Sequence, residues 1–292
     1  MSGNDSHTKG SYDRHSEHEA QMVEQGQLPS CYTMPNSVDA WRHRRMHNLL
    51  LPLIRETPNA TWLTIGDGNY ASDAYFLCQE GADVIASSLT VASLQTAKEL
   101  GYVSRIASVN AEMIEYPDDS FDFVLCKESY HHFPRPAIAY YEMLRVAREA
   151  VILIEPYEGN GRVLSWMKVL IKRFIRGTKN IEQFEHTGNF IYRISQRETE
   201  KMLTALNYCN LAIRRFNDCY LSWASTKNRP RSWGFCVTFA GVAFQDILCN
   251  LGLLDHGLAA IISFKRPLKQ EIRKGLKDVG FKVIDLPRNP YL

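Results

Sequence analysis

The chain has 292 residues, 45% of them apolar, and a formal net charge of +2. That length and apolar content bury a large core, which suits one domain with an appended region. The small charge excludes a whole-molecule basic field of the kind that gathers nucleic acid, and seven cysteines, odd in number and without CxxC spacing, argue against a disulfide framework or a zinc site. Scattered thiols of this kind fit a reduced, cytoplasmic protein.

Residues 1–36 read as a polar, mobile tail without the apolar h-region of a secretory signal. His7, His15, His18 and Glu17 are metal-ligand types, but nothing there fixes a coordination geometry, so no metal site is assigned. Residues 38–55 follow a helical period. Trp41, Met46, Leu49, Leu50 and Leu53 give an apolar side, and Arg42, Arg44 and Arg45 a basic one. Pro58 and Asn59 break the pattern, and 61–65 reads as a short buried strand. A helix over 72–80, closed by Gly81, leads to a strand over 82–86. Thr90 is a fitting N-cap for a helix over 91–100, ended by Gly101. Strands follow at 105–109 and, after the turn Pro117-Asp118-Asp119-Ser120, at 121–126. Pro136 opens a helix through 148, and 150–154 is a fifth strand stopped at Pro156.

Strand and helix alternate with short links throughout this stretch, the pattern of a doubly wound, mostly parallel α/β sheet. The pattern then loosens. Residues 166–176 form a basic amphipathic helix, Ser195 caps a helix over 196–206, and 210–221 and 258–264 read as strands. A last helix and strand occupy 268–279 and 281–286, and the sheet is expected to be mostly parallel with an antiparallel strand near the C-terminus. The expected division is a tail at 1–36, a core at 37–157, and a lid and acceptor region that completes the sheet at 158–292. The apolar run 233–254 is interrupted by Gln245, Asp246 and Asn250, so stable membrane insertion is not expected. It reads first as a buried helix, then as an apolar acceptor pocket, then as a membrane contact.

The stretch LTIGDGNYASDAYF holds Gly66, Asp67 and Gly68 where a strand meets a helix. Glycines there let a ligand approach the main chain at the carboxyl edge of a sheet. A pyrophosphate fingerprint needs a third glycine, and the chain offers Tyr70 and Ala71 instead. A nicotinamide-dependent oxidoreductase is therefore disfavoured.

Further along stand Asn110-Ala111-Glu112, Pro117-Asp118-Asp119-Ser120-Phe121-Asp122, His131-His132, Arg145-Val146 and Glu155-Pro156. In this order and spacing the segment from about 61 to 156 resembles the class I S-adenosylmethionine-dependent methyltransferases, in their small-molecule branch. The stretches DAWRHRRM and GDGNYASDAYF further resemble bacterial enzymes encoded with surface-polysaccharide genes. The resemblance implies a Rossmann-like fold with helical lid insertions and S-adenosyl-L-methionine as cofactor. It also implies methyl transfer to a small-molecule acceptor, with an oxygen of a sugar or glycan precursor expected. It places Gly66, Asp67 and Gly68 at the methionine part of the cofactor, Ser88 and Leu89 beside the ribose and adenine, and Asn110, Ala111 and Glu112 along the adenine. Cys126, Lys127 and Glu128 fall near the transferred methyl.

Two positions depart from that family. Thr64 stands where an acid is usual, and Ser88 where a carboxylate usually holds the ribose hydroxyls. A serine offers one neutral bond in place of two charge-assisted ones. Those departures keep a second reading open, a non-catalytic binding module on the same fold, against which the retained glycines and Asn110 argue. A hydroxyl acceptor must lose a proton as it attacks, and a histidine titrating near neutrality suits that task. His131 or His132 is the expected base, with Glu128, Glu155 and His186 as alternates. Arg42, Arg44, Arg45, Lys168, Lys172, Arg173 and Arg176 are of the type that grips a phosphorylated acceptor, although the solvated side of a helix is the plainer reading for most of them. Oligomeric state is not encoded in any of these features.

Overall fold

The structure, a computed structural model, describes residues 3–26, 28–159, 161, 184, 189–228 and 232–291. Among these residues eight strands form one sheet: β1 Thr61–Ile65, β2 Asp83–Ser88, β3 Ile106–Ser108, β4 Phe121–Lys127, β5 Ala147–Pro156, β6 Asn210–Phe216, β7 Leu258–Phe264 and β8 Lys282–Asp285. Their order is β3-β2-β1-β4-β5-β7-β6-β8. The first five run parallel. β7 lies antiparallel between β5 and β6, and β8 pairs antiparallel with β6 at the edge. The mostly parallel sheet with antiparallel pairing near the C-terminus is as expected, and the last strand, β8, completes it at the edge.

Central strands bury both faces, which is why β1 and β4 read as nearly continuous apolar runs. The two-residue period divides them between two layers. Trp62, Phe123, Leu125 and Ile152 face one layer, and Leu63, Ile65, Val124 and Val151 face the other. From β1 the chain passes outward to β2 and β3, then crosses back to β4 on the opposite side. The carboxyl ends of β1 and β4 therefore flank the point where strand order reverses, and a crevice opens there.

The helices, in chain order, are α1 Gly3–Gln25, α2 Ser30–Thr33, α3 Val38–His47, α4 Leu51–Glu56, α5 Ser72–Gln79, α6 Ala92–Glu99, α7 Pro136–Val146, α8 Gln196–Ala205, α9 Ser222–Ser225, α10 Trp233–Asn250 and α11 Gln270–Asp278. Ser195 caps α8 as its sequence suggests, its Oγ accepting from Glu198 N at 3.2 Å.

Several elements differ from expectation. The polar amino-terminal segment is helical as α1, and it packs on α6. The helix read over 38–55 is broken by a 3-10 turn at Asn48–Leu50, just ahead of Pro52 in the first turn of α4. β5 begins at Ala147, three residues early, because Ala147 pairs with Phe121 of β4. α10 is a helix but not a buried one. Gly234, Thr238 and Val242 face the protein, while Trp233 (76% exposed) and Phe244 (61%) face outward. Small residues occupy its inner face and large ones its outer face, so the helix lies on the surface. Among the described residues, no helix is long and apolar enough to cross a membrane. The helix expected at 166–176, with Lys168, Lys172, Arg173 and Arg176, and His186 lie outside the described residues.

Candidate active site

A cavity of about 310 Å³ opens at the carboxyl ends of β1, β2 and β4. Its floor is the loop after β1. Gly66 takes φ +73°, which side chains rarely adopt. A Cβ there would lie 2.5 Å from Ser129 Cβ. Ser129 Oγ in turn donates to Gly66 O at 2.7 Å, tying the end of β4 to the glycine loop. At Gly68 a Cβ would meet Ser88 Oγ at 3.0 Å.

Where a third glycine is missing, the backbone nonetheless takes the left-handed conformation, at Tyr70 (φ 54°) and Ala71 (φ 56°). Two non-glycine residues in that region mark local strain held by their surroundings. Tyr70, 1% exposed, packs into the core layer rather than the cavity. Tyr32 Oη donates to its carbonyl. The crest of β1 is therefore not plugged by the tyrosine.

Of the residues singled out in the sequence, Gly66, Gly68, Ser88, Leu89, Asn110, Ala111, Glu112, Glu128 and His132 all line this cavity. Asp67, Lys127 and His131 do not. Asp67 is buried and caps α5, accepting from Asp73 N at 3.1 Å and Ala74 N at 2.8 Å. Thr64 Oγ1 donates to it at 3.0 Å, so the residue that departs from the family pattern supports the cap of α5. Burial, and then the charge of Asp73, push the Asp67 carboxyl well above the usual carboxylate range.

Lys127 turns away from the cavity into a buried charge network. Its Nζ lies 3.2 Å from Asp73 and 3.0 Å from Glu128, and His47 Nε2 is 2.7 Å from Asp73. Burial opposes the charge on Asp73, but Lys127 and His47 outweigh it and hold the carboxyl below its usual range. Burial likewise opposes ionisation of Glu128, and Lys127 with His43 brings it down to about 2. Glu128, at φ 52°, is thus an anion fixed at the cavity wall. Cys126 is fully buried, and burial pushes its thiol up, so it is not a thiolate at the site.

The two histidines separate. His131 Nδ1 is 2.7 Å from Glu155 Oε2. Glu155 Oε1 also accepts from Ser129 N and Tyr130 N, both at 2.9 Å. His132 faces the cavity, its ring centroid 4.0 Å from that of His131. Arg42 is buried rather than solvated: its Nη1 reaches Asp39 at 2.8 Å and its Nε reaches Asp218 at 2.9 Å. It holds α3 to the loop after β6. Arg45 lies over the Trp41 ring, 5.0 Å from its centroid, and Arg44 is exposed.

Sequence reasoning missed α1 as a wall of the cavity. Tyr12, His15 and Glu19 line it, and their spacing of three and four places them on one helical face. That spacing was the available signal in a segment whose composition reads as tail. Asn189 fastens the helix, its Nδ2 lying 2.7 Å from Ser11 Oγ, 2.8 Å from His15 Nε2 and 2.6 Å from His132 O.

Residues 63–154 match the family model described as a methyltransferase domain. This segment is a class I methyltransferase domain, and its cofactor is S-adenosyl-L-methionine. The methyltransferase match covers the strands that build the cavity floor, β1 through most of β5. No curated protein sequence matches the chain. Solved structures similar to it include the YcgJ protein from Bacillus subtilis, 20% identical, covering 76% of this chain and 100% of that one at a TM-score of 0.48. Magnesium protoporphyrin IX methyltransferase from Synechocystis PCC 6803, with bound SAH, is 15% identical over 78% of this chain and 86% of that one, at 0.47.

The methyltransferase's cavity fits its cofactor on its own chemistry. Gly66 and Gly68 leave the main chain open where side chains would intrude. Ile65, Val109 and Phe133 give apolar walls, and Glu19, Glu112 and Glu128 supply carboxylates. Glu112 is held by Arg135, whose N and Nε both lie 2.6 Å from its oxygens.

Proposed function

We propose that the enzyme methylates a hydroxyl oxygen of a small-molecule acceptor, with a sugar or glycan precursor as the acceptor class and the cytoplasm as the compartment. The observation that carries this is the position of His132 on the wall of the cavity that the glycine loop floors. The bound cofactor supplies a methyl on a positively charged sulfur, for in-line displacement. Gly66 and Gly68 would offer main chain to its amino-acid part, Ser88 and Leu89 would take the ribose side, and Asn110, Ala111 and Glu112 would border the adenine. Glu128 favours the cationic end of the ligand, since its charge is fixed by Lys127. His132 takes the proton from the acceptor hydroxyl as that oxygen attacks. Phe133 and Pro134 shield the reacting atoms from water, and the close placement of acceptor and donor supplies much of the rate.

The glycan part of the reading is supported by the sequence resemblance alone. The small net charge favours a small acceptor over nucleic acid. The seven free cysteines suit a reducing compartment. Titration calorimetry with S-adenosyl-L-methionine and NAD, followed by mass spectrometry of incubations with sugars and nucleotide sugars, tests it. The expected result is heat with the first ligand only and a mass gain of one methylene on a hydroxyl compound. Methylation confined to amines or thiols overturns the oxygen assignment.

A further inference from the structure

The cofactor brings a ribose diol, two hydroxyls that need acceptors, into a cavity whose second strand ends in Ser88. Among the described residues, three carboxylates line that cavity, and two are committed elsewhere. Glu112 is engaged by Arg135 through two bonds of 2.6 Å. Glu128 is paired with Lys127 at 3.0 Å and His43 at 3.4 Å. The third is Glu19 of α1. Its Oε1 accepts from Ser93 Oγ at 2.6 Å, and its Oε2 lies 3.4 Å from Ser88 Oγ. The same Oε2 would stand 3.4 Å from a Cβ on Gly68. Glu19 is therefore at the end of β2, above the second glycine, with neutral hydroxyls as its hydrogen-bond partners.

We propose that Glu19, reaching in from the amino-terminal helix, is the carboxylate that receives the ribose hydroxyls of the cofactor. This rests on the cofactor assignment and deepens it. An ionised carboxylate has about four acceptor sites. Ser93 and Ser88 use one each, which leaves room for two more donors. The serines hold the carboxylate in place, so Ser88 supports the anion rather than replacing it. The arrangement also accounts for the docking of a polar helix on the core. Tyr12 and His15, on the same face as Glu19, complete the wall, and Asn189 ties that wall to His132. Docking of α1 and binding of cofactor are then linked, and each strengthens the other by the same factor.

The test is titration calorimetry on the full chain and its Glu19→Gln and Ser93→Ala variants. The ligands are S-adenosylhomocysteine and its 2′,3′-dideoxy analogue. Glu19→Gln should weaken S-adenosylhomocysteine by about 10-fold or more, since it removes a charged acceptor from two hydroxyls. It should leave the dideoxy analogue within about 2-fold of the unsubstituted protein, because a lost interaction must have both partners to be lost. Ser93→Ala should show the same selectivity with a smaller effect. Equal weakening of both ligands overturns the proposal, by making Glu19 a support for the helix alone. No weakening of either overturns it too. If the unsubstituted chain binds neither ligand, the cofactor assignment falls and takes Glu19 with it.

Discussion

His131 Nδ1 meets Glu155 Oε2 at 2.7 Å, and Glu155 has no exposed surface. One buried carboxylate thus receives a ring N–H and the backbone N–H groups of Ser129 and Tyr130, gathering the turn that follows β4. Replacing it with Ala removes the shared acceptor of the buried Tyr130 N–H and of two half-buried donors, Ser129 N–H and the His131 ring. Glu155→Ala should lower unfolding free energy by about 1–3 kcal/mol, the cost of one buried orphaned donor, with a smaller addition from the two half-buried ones. Glu155→Gln, which keeps one acceptor oxygen, should cost less. Urea unfolding followed by circular dichroism measures both, and equal stability of Glu155→Ala and the unsubstituted protein would show that the turn is held by other means.

The two glycines should respond differently. At Gly66 an added Cβ meets Ser129 at 2.5 Å on a backbone with φ +73°, so Gly66→Ala carries both a clash and conformational strain. A loss of about 1–3 kcal/mol is expected, and adding Ser129→Gly should recover only the part due to the clash. Gly68 has no such strain, and its Cβ would sit at 3.0 Å from the Ser88 hydroxyl, facing the cavity. Gly68→Leu should therefore keep the thermal midpoint within a few degrees while abolishing cofactor binding in calorimetry. Binding that survives in Gly68→Leu would move the cofactor away from this loop.

Regular alternation made the core legible. The bounds of β1 and β7 follow from short apolar runs between breakers, and the cap at Ser195 from a serine just ahead of a helical run, where its Oγ accepts from Glu198 N. What stayed hidden depends on contacts distant in the chain. Nothing local says that Ala147 leaves a helix to pair with Phe121. Asn217 and Asp218 shorten the strand read over 210–221 because their side chains are bonded to Asp246 and Arg42. At the site, the motif places Asp67 and Lys127 beside residues that face the cavity, but side-chain direction is set by burial. Asp67 finds the first turn of α5 and Lys127 finds Asp73. α1 was the largest omission, because a polar helix shows its purpose only against the surface it covers.

His47 gives a dependence of stability on pH. Burial first, and then the nearby charge of Lys127, lower its pKa below 6.5, despite the opposing hydrogen bond and charge of Asp73. Glu128 also opposes the shift, and Phe76 stacks on the ring with centroids 4.7 Å apart. The folded protein therefore keeps His47 neutral, while the unfolded chain takes up a proton as pH falls below about 6.5. Stability should fall with pH in the window beneath that value, by up to ~1.4 kcal/mol per unit for this one proton. Asp67, whose folded pKa is raised, acts with the opposite sign from about pH 3.8 upward. His47→Gln keeps a donor for Asp73 and removes the titration. Unfolding by urea between about pH 5 and pH 7 should show a shallower slope for the variant. Parallel slopes would mean that His47 is protonated in the folded chain.

The assignment of the base makes the sharpest kinetic demand. His132 lines the cavity and His131 does not, so the pair should separate under substitution. His132→Asn removes the proton acceptor and leaves the cavity floor untouched. It should lower kcat by about 100-fold or more, the usual worth of a positioned general base. Affinity for S-adenosylhomocysteine should stay within about 3-fold, because the ring contributes to proton removal rather than to the ribose or adenine contacts. The limb of the pH–rate profile that the base sets should vanish in the variant. His131→Asn acts through its bond to Glu155, so it should lower stability and kcat together while keeping that limb. A His132→Asn enzyme with unchanged kcat and pH profile would assign proton removal to another group on the wall, and Glu128, held ionised by Lys127, is then the residue to substitute next.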